Sequence, residues 1–388
     1  MIPCFNEPDL INSLISLRNC EVTKANVEVI VIINNSDNAD TAIKSRNAET
    51  FETAKEWAVL NNKDRLKFHI IYENDLPAKH AGVGLARKIG MDEAVRRLAV
   101  HSNDNGIIIC FDADCECDAN FLVAIEDHFR RHPSTPGCSI CFEHPISTDL
   151  PLVQSNAILD YELFLRYYIL AQKAIQVPYA FHTVGSSMAV RSSAYQKQGG
   201  MNRKKAGEDF YFLHKIISLS QFTSLNSTRV IPSPRVSDRV PFGTGKAIGD
   251  YLHEKHITAY AQQTFEDLAV LINARYSFYK QPLTVVNSNI TQLPTSIRSF
   301  LNSNNFAESV DSINNNCSSP DSFNTKFFEW LNAFRLLKFV HFARDNYYPN
   351  IPLMDGVAWA MEKFGLSNEK STPRMEALKK LRKLERSF

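Results

Sequence analysis

The chain has no long apolar run and no excess of one charge sign. No stretch of about 18 apolar residues occurs, and Val27–Ile33 is short and broken by Glu28, so no membrane-spanning helix is predicted. The net charge of +1 excludes the broad basic field that is typical of nucleic-acid-binding proteins. Met1 leads directly into a predicted strand, so we expect no signal peptide and a cytoplasmic protein.

The cysteine content is unremarkable, with eight residues in a chain of 388, and does not indicate a disulfide-rich protein. Cys4 and Cys141 fall in apolar stretches, which is typical of buried free thiols in a reducing compartment. Cys115 and Cys117, taken with Cys138 and Cys141, have a spacing that would suit zinc. Residues three apart in a strand face opposite sides, however, so the last two could not share one ion. We therefore expect free thiols and no zinc site.

What the sequence does contain is enough apolar material for a substantial core, at 44% hydrophobic and 11% aromatic residues. Strand and helix patterns alternate through roughly the first 145 residues, which predicts a central, mostly parallel sheet flanked by helices. The predicted strands are Met1–Phe5, Glu28–Ile33, Leu66–Tyr72 and Ile107–Phe111. The predicted helices between and after them are Pro8–Arg18, Ala48–Leu60, Val83–Val100 and Phe121–Arg131.

The length allows two domains. We predict an α/β catalytic domain over residues 1–245 and a mainly helical C-terminal region over residues 246–388. The last predicted helix, Pro373–Arg386, is basic and amphipathic. Such a helix can lie on the inner face of a membrane or pack on its own domain, and the sequence leaves both interpretations open.

The most informative motif is Asp112-Ala-Asp114, which follows a short apolar run typical of a buried strand. In open α/β sheets, ligands bind beyond the carboxyl ends of the strands. Two carboxylates at that edge suit a divalent ion such as Mn²⁺ or Mg²⁺ that also contacts substrate phosphates. The alternative is a turn in which Asp112 and Asp114 precede and cap the next helix.

Polar residues also follow the other predicted strands. Glu7 follows the first strand, Asn35 and Asp37 follow the second, and Arg87 lies at the start of the helix after the third. Carboxylate and amide groups suit the hydroxyl groups and base of a nucleoside, and an arginine at a helix start suits a phosphate. Each of them alone could be an ordinary turn or surface residue. Their joint occurrence at successive strand ends favours a nucleotide site.

Two later segments complete the set of candidate site residues. Glu208 and Asp209 lie at the start of a predicted helix. Their negative charges could interact favourably with the helix dipole, or one of them could act as a general base. Arg235, Arg239 and Lys246 lie in or at the end of a loop rich in proline and glycine, where they could stabilise the charge of a departing diphosphate.

Taken together, these motifs and their order resemble the family 2 glycosyltransferases of the GT-A fold over about residues 1–245. The resemblance implies a nucleoside-diphosphate sugar as donor, UDP- or GDP-linked, with Asp112 and Asp114 binding Mn²⁺ or Mg²⁺. It implies that Asp209 is the base of an inverting hexosyl transfer to a glycan or lipid-linked acceptor. The signature of processive polymer synthases, Gln-x-x-Arg-Trp, is absent, which indicates a non-processive enzyme.

Two other nucleotide-binding motifs are incomplete in this sequence. The Gly82-x-Gly84 pair lacks the third glycine of a dinucleotide-binding motif, and Gly243–Lys246 lacks the residues that a P-loop requires on either side. A sugar-nucleotide pyrophosphorylase and an inactive nucleotide- or glycan-binding module remain as alternatives. The sequence does not specify the donor sugar, the nucleobase or the acceptor.

Overall fold

The computed structural model describes residues 1–146, 150–235, 249, 251, 256–366 and 372–388. The chain divides into two compact units. The first unit comprises Met1–Ile158, Phe181–His253 and Arg382–Phe388, and the second comprises Leu159–Ala180 and Glu254–Leu381. The domain boundary predicted between residues 245 and 246 lies outside the described residues and stays a prediction.

The first unit is built on eight described strands. They are β1 (Ile2–Cys4), β2 (Val27–Ser36), β3 (Leu66–Leu76), β4 (Ile107–Cys110), β5 (Glu116–Cys117), β6 (Gly137–Phe142), β7 (Met188–Arg191) and β8 (Thr223–Ile231). Strands β1, β2 and β3 pair in parallel, and the others pair in the order β4–β7–β6–β8–β5.

Hydrogen bonds at Met1 join these two groups of strands. The Met1 amino group donates to the Ile109 carbonyl at 2.6 Å, and the Phe111 N–H donates to the Met1 carbonyl at 3.1 Å. This alternation is the pattern of parallel pairing between β1 and β4. Of these eight strands of the first unit, only β5 and β7 run against the common direction. The predicted α/β class with a mostly parallel sheet is confirmed.

The helices of the first unit cover this sheet. They are α1 (Leu10–Arg18), α2 (Thr41–Asn61), α3 (Val83–Val100), α4 (Phe121–Arg131), α6 (Ser192–Lys197) and α7 (Glu208–Ile217), with α5 (Leu152–Ala174) running on into the second unit. Helix α2 packs on β2 and β3, and α3 packs on β1 and β2. The continuous apolar run Val29–Ile33 is consequently buried on both faces, as expected for an inner strand of a parallel sheet.

The described part of the second unit is mainly helical, as predicted for the C-terminal region. Its helices are Gln262–Ala274, Leu283–Thr291, Thr295–Ser303, Phe306–Asn315, Pro320–Trp330, Ala333–Asn346, Leu353–Lys363 and most of Arg374–Glu385. Fully buried phenylalanines dominate its core: Phe265, Phe278, Phe306, Phe323, Phe327 and Phe339. Such rings contribute a large apolar area for each residue, which compensates for the polar sequence between them.

No helix in the described residues combines the length and the apolar character that crossing a membrane requires. The last helix, Arg374–Glu385, has the predicted basic and apolar sides. Its residues Ala377, Leu378 and Leu381 are 0% exposed, so this apolar side is already buried in the protein. Peripheral membrane contact through the helix stays a prediction.

Candidate active site

Acids that are far apart in the sequence meet around the guanidinium group of Arg87. Arg87 lies near the N-terminal end of α3, is 4% exposed, and donates to Asp112 Oδ1 at 2.6 Å and to Glu208 Oε1. Asp112 follows β4, and Glu208 is the first residue of α7. The segment that carries Asp112 and the acidic pair at Glu208 therefore lie at the same edge of the sheet.

Asp209 is held beside this ion-pair cluster by backbone donors. The Gly185 N–H donates to Asp209 Oδ2 at 2.9 Å, and the Phe210 N–H donates to Asp209 Oδ1 at 2.8 Å. Each carboxylate oxygen thus has one backbone donor, which fixes the orientation of the group. A carboxylate oxygen can accept more than one hydrogen bond, so Asp209 keeps capacity for a further donor.

Burial and neighbouring charge raise the pKa of both acids of the pair. For Glu208 and Asp209, burial raises the pKa, Arg87 acts against it, and the nearby carboxylate of Asp112 adds to the rise. Burial opposes the charge of Arg87, but Asp112, Glu208 and Asp209 together raise its pKa, so it stays a cation. A carboxylate with a raised pKa accepts a proton more readily near neutral pH than an ordinary aspartate does.

Two glycines make this close packing possible. A Cβ atom at Gly84, in the first turn of α3, would overlap the Lys204 carbonyl oxygen, and a Cβ atom at Gly185 would overlap the Arg87 guanidinium group. Asn202 adds a contact from the same loop by donating from Nδ2 to the Glu208 carbonyl at 2.9 Å. Gly84 lies in the glycine pair noted in the sequence. Gly185 and Asn202 were missed, because nothing local distinguishes them from other turn residues.

A second arginine binds the acids on the other side of Asp112-Ala-Asp114. Arg235 donates from Nη2 to Glu7 Oε2 at 2.6 Å and from Nη1 to Asp9 Oδ2 at 2.8 Å. Its Nη2 also lies 4.0 Å from Asp114 Oδ2. Burial opposes the charge of Arg235, but the hydrogen bonds to Glu7 and the charge of Asp114 raise its pKa. The structure thus brings Glu7, Asp114 and Arg235 together, as expected for one site.

The residues expected near the nucleoside have different environments. Asp37 is exposed, whereas Asn35 is 1% exposed and its Nδ2 donates to the Asn74 carbonyl at 2.7 Å. Asn35 Oδ1 accepts from the Tyr72 hydroxyl at 3.2 Å and from Asn47 Nδ2 at 3.3 Å. Both polar atoms of the Asn35 side chain therefore have protein partners, and its contact with a nucleoside stays a prediction.

Asn47 is a further residue that the sequence interpretation missed. It is 0% exposed within α2, and its Oδ1 accepts from the Asn6 N–H at 2.9 Å while its Nδ2 donates to the Asn34 carbonyl at 2.9 Å. It thereby joins the ends of β1 and β2. The helix predicted from the sequence begins only at Ala48, whereas the observed helix begins at Thr41, so no local signal in the sequence indicates a buried asparagine at this position.

Of the remaining predicted site residues, the structure describes the surroundings of some and not of others. Arg87 pairs with carboxylates in the structure, and its expected contact with a phosphate stays a prediction. Arg239 and Lys246 lie outside the described residues, and their roles stay predictions. The described residues contain no group of three or more His, Cys, Asp or Glu side chains placed to bind a metal ion.

The donor set still suits a hard divalent cation. Asp112 and Asp114 are 34% and 26% exposed, so both carboxylates are accessible to solvent. The carboxylates in this part of the site outnumber its two guanidinium groups, on Arg87 and Arg235. Oxygen ligands and an excess of negative charge are the features that Mg²⁺ and Mn²⁺ prefer, with substrate phosphates and water completing the coordination.

Some solved structures are similar to this chain over most of its length. No protein-family model and no curated protein matches the chain. Among solved structures, it is similar to S. aureus TarS 1-349 in complex with UDP-GlcNAc, with 12% identity, a TM-score of 0.45, and coverage of 85% of this chain and 90% of that one. It is also similar to the mannosyltransferase PcManGT from Pyrobaculum calidifontis in complex with GDP-Man and Mn²⁺, with 15% identity, a TM-score of 0.38, and coverage of 81% and 85%. At these identities and scores, the likeness bears on neither the family nor the activity of this chain.

Proposed function

We propose that this chain is a glycosyltransferase of the family 2 type, which moves a hexosyl group from a nucleoside-diphosphate sugar to a hydroxyl of a glycan or lipid-linked acceptor. The observation that carries the proposal is the Arg87 bridge between Asp112 and Glu208. This bridge supports the proposal because it brings two kinds of acid to one edge of the sheet. Asp112 suits a metal-bound diphosphate, and the pair Glu208 and Asp209 suits proton transfer. A cytoplasmic location is part of the proposal.

On the donor side, Asp112 and Asp114 would hold a Mn²⁺ or Mg²⁺ ion together with the donor phosphates. When bound, such an ion offsets the negative charge that develops on the departing diphosphate. Glu7 lies beside Asp114 and is connected to it through Arg235, so it is placed to accept hydrogen bonds from the nucleoside. Arg235 is 33% exposed and can turn its guanidinium group towards the diphosphate.

On the acceptor side, Asp209 takes the proton of the attacking hydroxyl group. The acceptor oxygen forms a bond to the anomeric carbon while the bond from that carbon to the diphosphate breaks, and the hydroxyl proton passes to Asp209. Attack from the face opposite the diphosphate gives inversion at the anomeric carbon. The raised pKa of Asp209 suits this role, and the N–H groups of Gly185 and Phe210 keep the carboxylate oriented.

Arg87 acts in this proposal as a positioning residue. Its guanidinium group is buried and donates to Asp112 and Glu208, so it fixes the distance between the donor side and the acceptor side. Its positive charge also acts against the rise that burial causes in the pKa of Glu208 and Asp209.

A thermal-shift screen of nucleotides tests the proposed function. We expect UDP or GDP to raise the melting temperature of the protein in the presence of Mn²⁺, with a smaller rise when EDTA replaces the metal. A response confined to nucleoside triphosphates would instead indicate a pyrophosphorylase. A response to glycans without any response to nucleotides would indicate a binding module and would contradict the proposal.

A further inference from the structure

Two thiols lie in contact next to the segment that carries Asp112 and Asp114. Cys20 follows the C-terminal end of α1, and Cys117 belongs to β5, which closely follows Asp114. The two sulfur atoms are 3.7 Å apart. A disulfide bond is about 2.05 Å long, so the sulfurs need to approach each other by only about 1.7 Å.

The backbone around these thiols is already held in place. The Cys117 N–H donates to Ser16 Oγ at 2.9 Å, and Ser13 Oγ donates to the Ala113 carbonyl at 2.9 Å. Beyond the helix, the Glu21 N–H donates to the Ala119 carbonyl at 2.8 Å. The segments therefore run side by side on both sides of the thiol pair. A disulfide between Cys20 and Cys117 would thus link two segments that are already aligned.

The two thiols also differ in a way that favours reaction between them. Cys117 is partly exposed, whereas Cys20 is 7% exposed. The hydrogen bond with Cys117 lowers the pKa of Cys20, although burial acts in the opposite direction. A thiolate is the reactive form towards oxidants. The pair thus combines a thiol that ionises more readily with a neighbouring thiol in contact with it.

We propose that Cys20 and Cys117 form a modification site at which a peroxide produces a disulfide between α1 and β5. The Cys20 thiolate attacks one peroxide oxygen, the O–O bond breaks, and the hydroxide that leaves takes up a proton to form water. The sulfur of Cys117 then attacks the sulfur of the Cys20 sulfenic acid, and the S–O bond breaks with release of a second water. Two thiols are oxidised and one hydrogen peroxide is reduced to two waters.

The proposal is tested on the full chain by peptide mapping. The protein is reduced with dithiothreitol, desalted, treated with stoichiometric hydrogen peroxide, and digested without reductant. We expect one cross-linked peptide pair that contains Cys20 and Cys117 and separates on reduction. The link closes a long loop in the unfolded chain, so we also expect the melting temperature to rise by about 5 °C.

Three variants provide the controls. Cys117→Ser and Cys20→Ser should each lose both the cross-link and the peroxide-dependent rise in melting temperature. Cys141→Ser, which changes another partly exposed cysteine, should keep both. Because Cys117 is partly exposed, its variant remains informative even if Cys20→Ser does not fold.

Specific outcomes would overturn the proposal. They are sulfinic acid on Cys117 without a cross-link, a cross-link between other cysteines, or unchanged thiols after peroxide treatment. None of these measurements depends on sugar transfer. Failure of the disulfide proposal is therefore distinguishable from failure of the proposed function.

Discussion

At the scale of single residues, Arg87 is the residue on which the others in the site depend. It is 4% exposed, and both of its terminal nitrogens donate to carboxylates that come from separate parts of the chain. Water cannot replace a lost partner at such a position, so each charge requires the other. The geometry of the acids and the stability of the first unit are therefore coupled.

The first prediction concerns this coupling. Arg87→Met should lower the free energy of unfolding by about 3 kcal/mol, because it leaves the buried Glu208 without its cation. Urea unfolding followed by circular dichroism measures this loss. Arg96→Met, which removes an exposed arginine paired with Glu93 on the same helix, is the matched control and should have little effect. Equal losses in the two variants would contradict the structural role of Arg87.

Asp209→Asn is expected to separate binding from chemistry. The amide keeps the shape of the side chain and one of its two backbone hydrogen bonds but cannot take a proton, so transfer should fall by about 1,000-fold. Donor binding, measured by calorimetric titration, should be preserved. Asp104→Asn, at an exposed turn, is the control and should leave both quantities unchanged. Normal turnover by the Asp209 variant would show that another group is the base.

The raised pKa of Asp209 also determines the expected pH dependence. The base must be ionised, so kcat/KM should fall as the pH decreases through this pKa, at a higher pH than an ordinary aspartate would give. The pKa of Asp209 is higher in the folded protein than in the unfolded chain, so ionisation of this group favours the unfolded chain. The folded protein therefore loses free energy of unfolding as the pH rises above the unfolded pKa, and it loses none at lower pH. The parent protein should lose stability as the pH rises through the raised pKa of Asp209, whereas Asp209→Asn should lack this pH-dependent loss, as thermal unfolding at several pH values can check.

Asp114→Ala tests the proposed metal site. Removing this carboxylate should weaken UDP or GDP binding in Mn²⁺ by about tenfold or more, and should change little in EDTA. Calorimetric titration in the two conditions measures the difference. Asp37→Ala, an exposed acid after β2, should affect binding equally with and without metal. Mn²⁺-dependent binding that survives in the Asp114 variant would exclude this residue as a ligand.

At the scale of secondary-structure elements, the junction between α3 and α7 sets the position of the acidic pair. Gly84 lies in the first turn of α3 and allows the backbone of the loop before α7 to approach closely. Helix α3 itself was predicted over Val83–Val100, and the structure has the same bounds. Strand β8 was not predicted, since Thr223–Ile231 is largely polar and has no clear alternation.

Gly84→Ala should disturb this junction. Alanine has a higher helix propensity than glycine, so the substitution would stabilise the protein if it affected only α3. Overlap with the Lys204 carbonyl should instead cost about 1–3 kcal/mol and reduce transfer, because the loop and Glu208 must move. Thermal unfolding and a transfer assay measure both effects. Gly82→Ala is the milder control, because a Cβ atom at this position would lie 3.3 Å from the Cα atom and side chain of Lys205. A stabilised, active Gly84 variant would refute the close contact.

At the scale of the whole molecule, the last residues of the chain belong to the first unit. Arg386 Nη2 donates to Glu143 Oε1 at 2.6 Å, and Arg382 Nη2 donates to the His144 carbonyl at 2.9 Å. Glu143 directly follows β6, is 6% exposed, and also accepts from Arg229 at 2.9 Å. The C-terminal segment thus neutralises a buried acid at the same sheet edge as the candidate site.

Removal of Arg382–Phe388 should therefore destabilise the first unit. Glu143 would keep Arg229 but lose its other cations, and we expect a loss of about 2 kcal/mol in the free energy of unfolding. Glu143→Gln in the truncated chain should restore part of this loss, because the amide carries no charge to compensate. Urea unfolding of the four combinations of truncation and substitution gives the coupling. A truncation with no effect would show that these contacts contribute nothing.

Local patterns in the sequence determined the α/β class, the direction of most strands, the helical C-terminal region and the set of acids at the strand ends. They could do so because periodicity along one segment reports its own burial, and parallel strands bring their carboxyl ends to one edge. Only the tertiary structure determined that Arg87 pairs with Asp112 and Glu208, that Asn35 is enclosed by its neighbours, and that Gly185 leaves room for a guanidinium group. Those facts depend on which side chains meet across large sequence separations, where the need to pair every buried charge selects the partners.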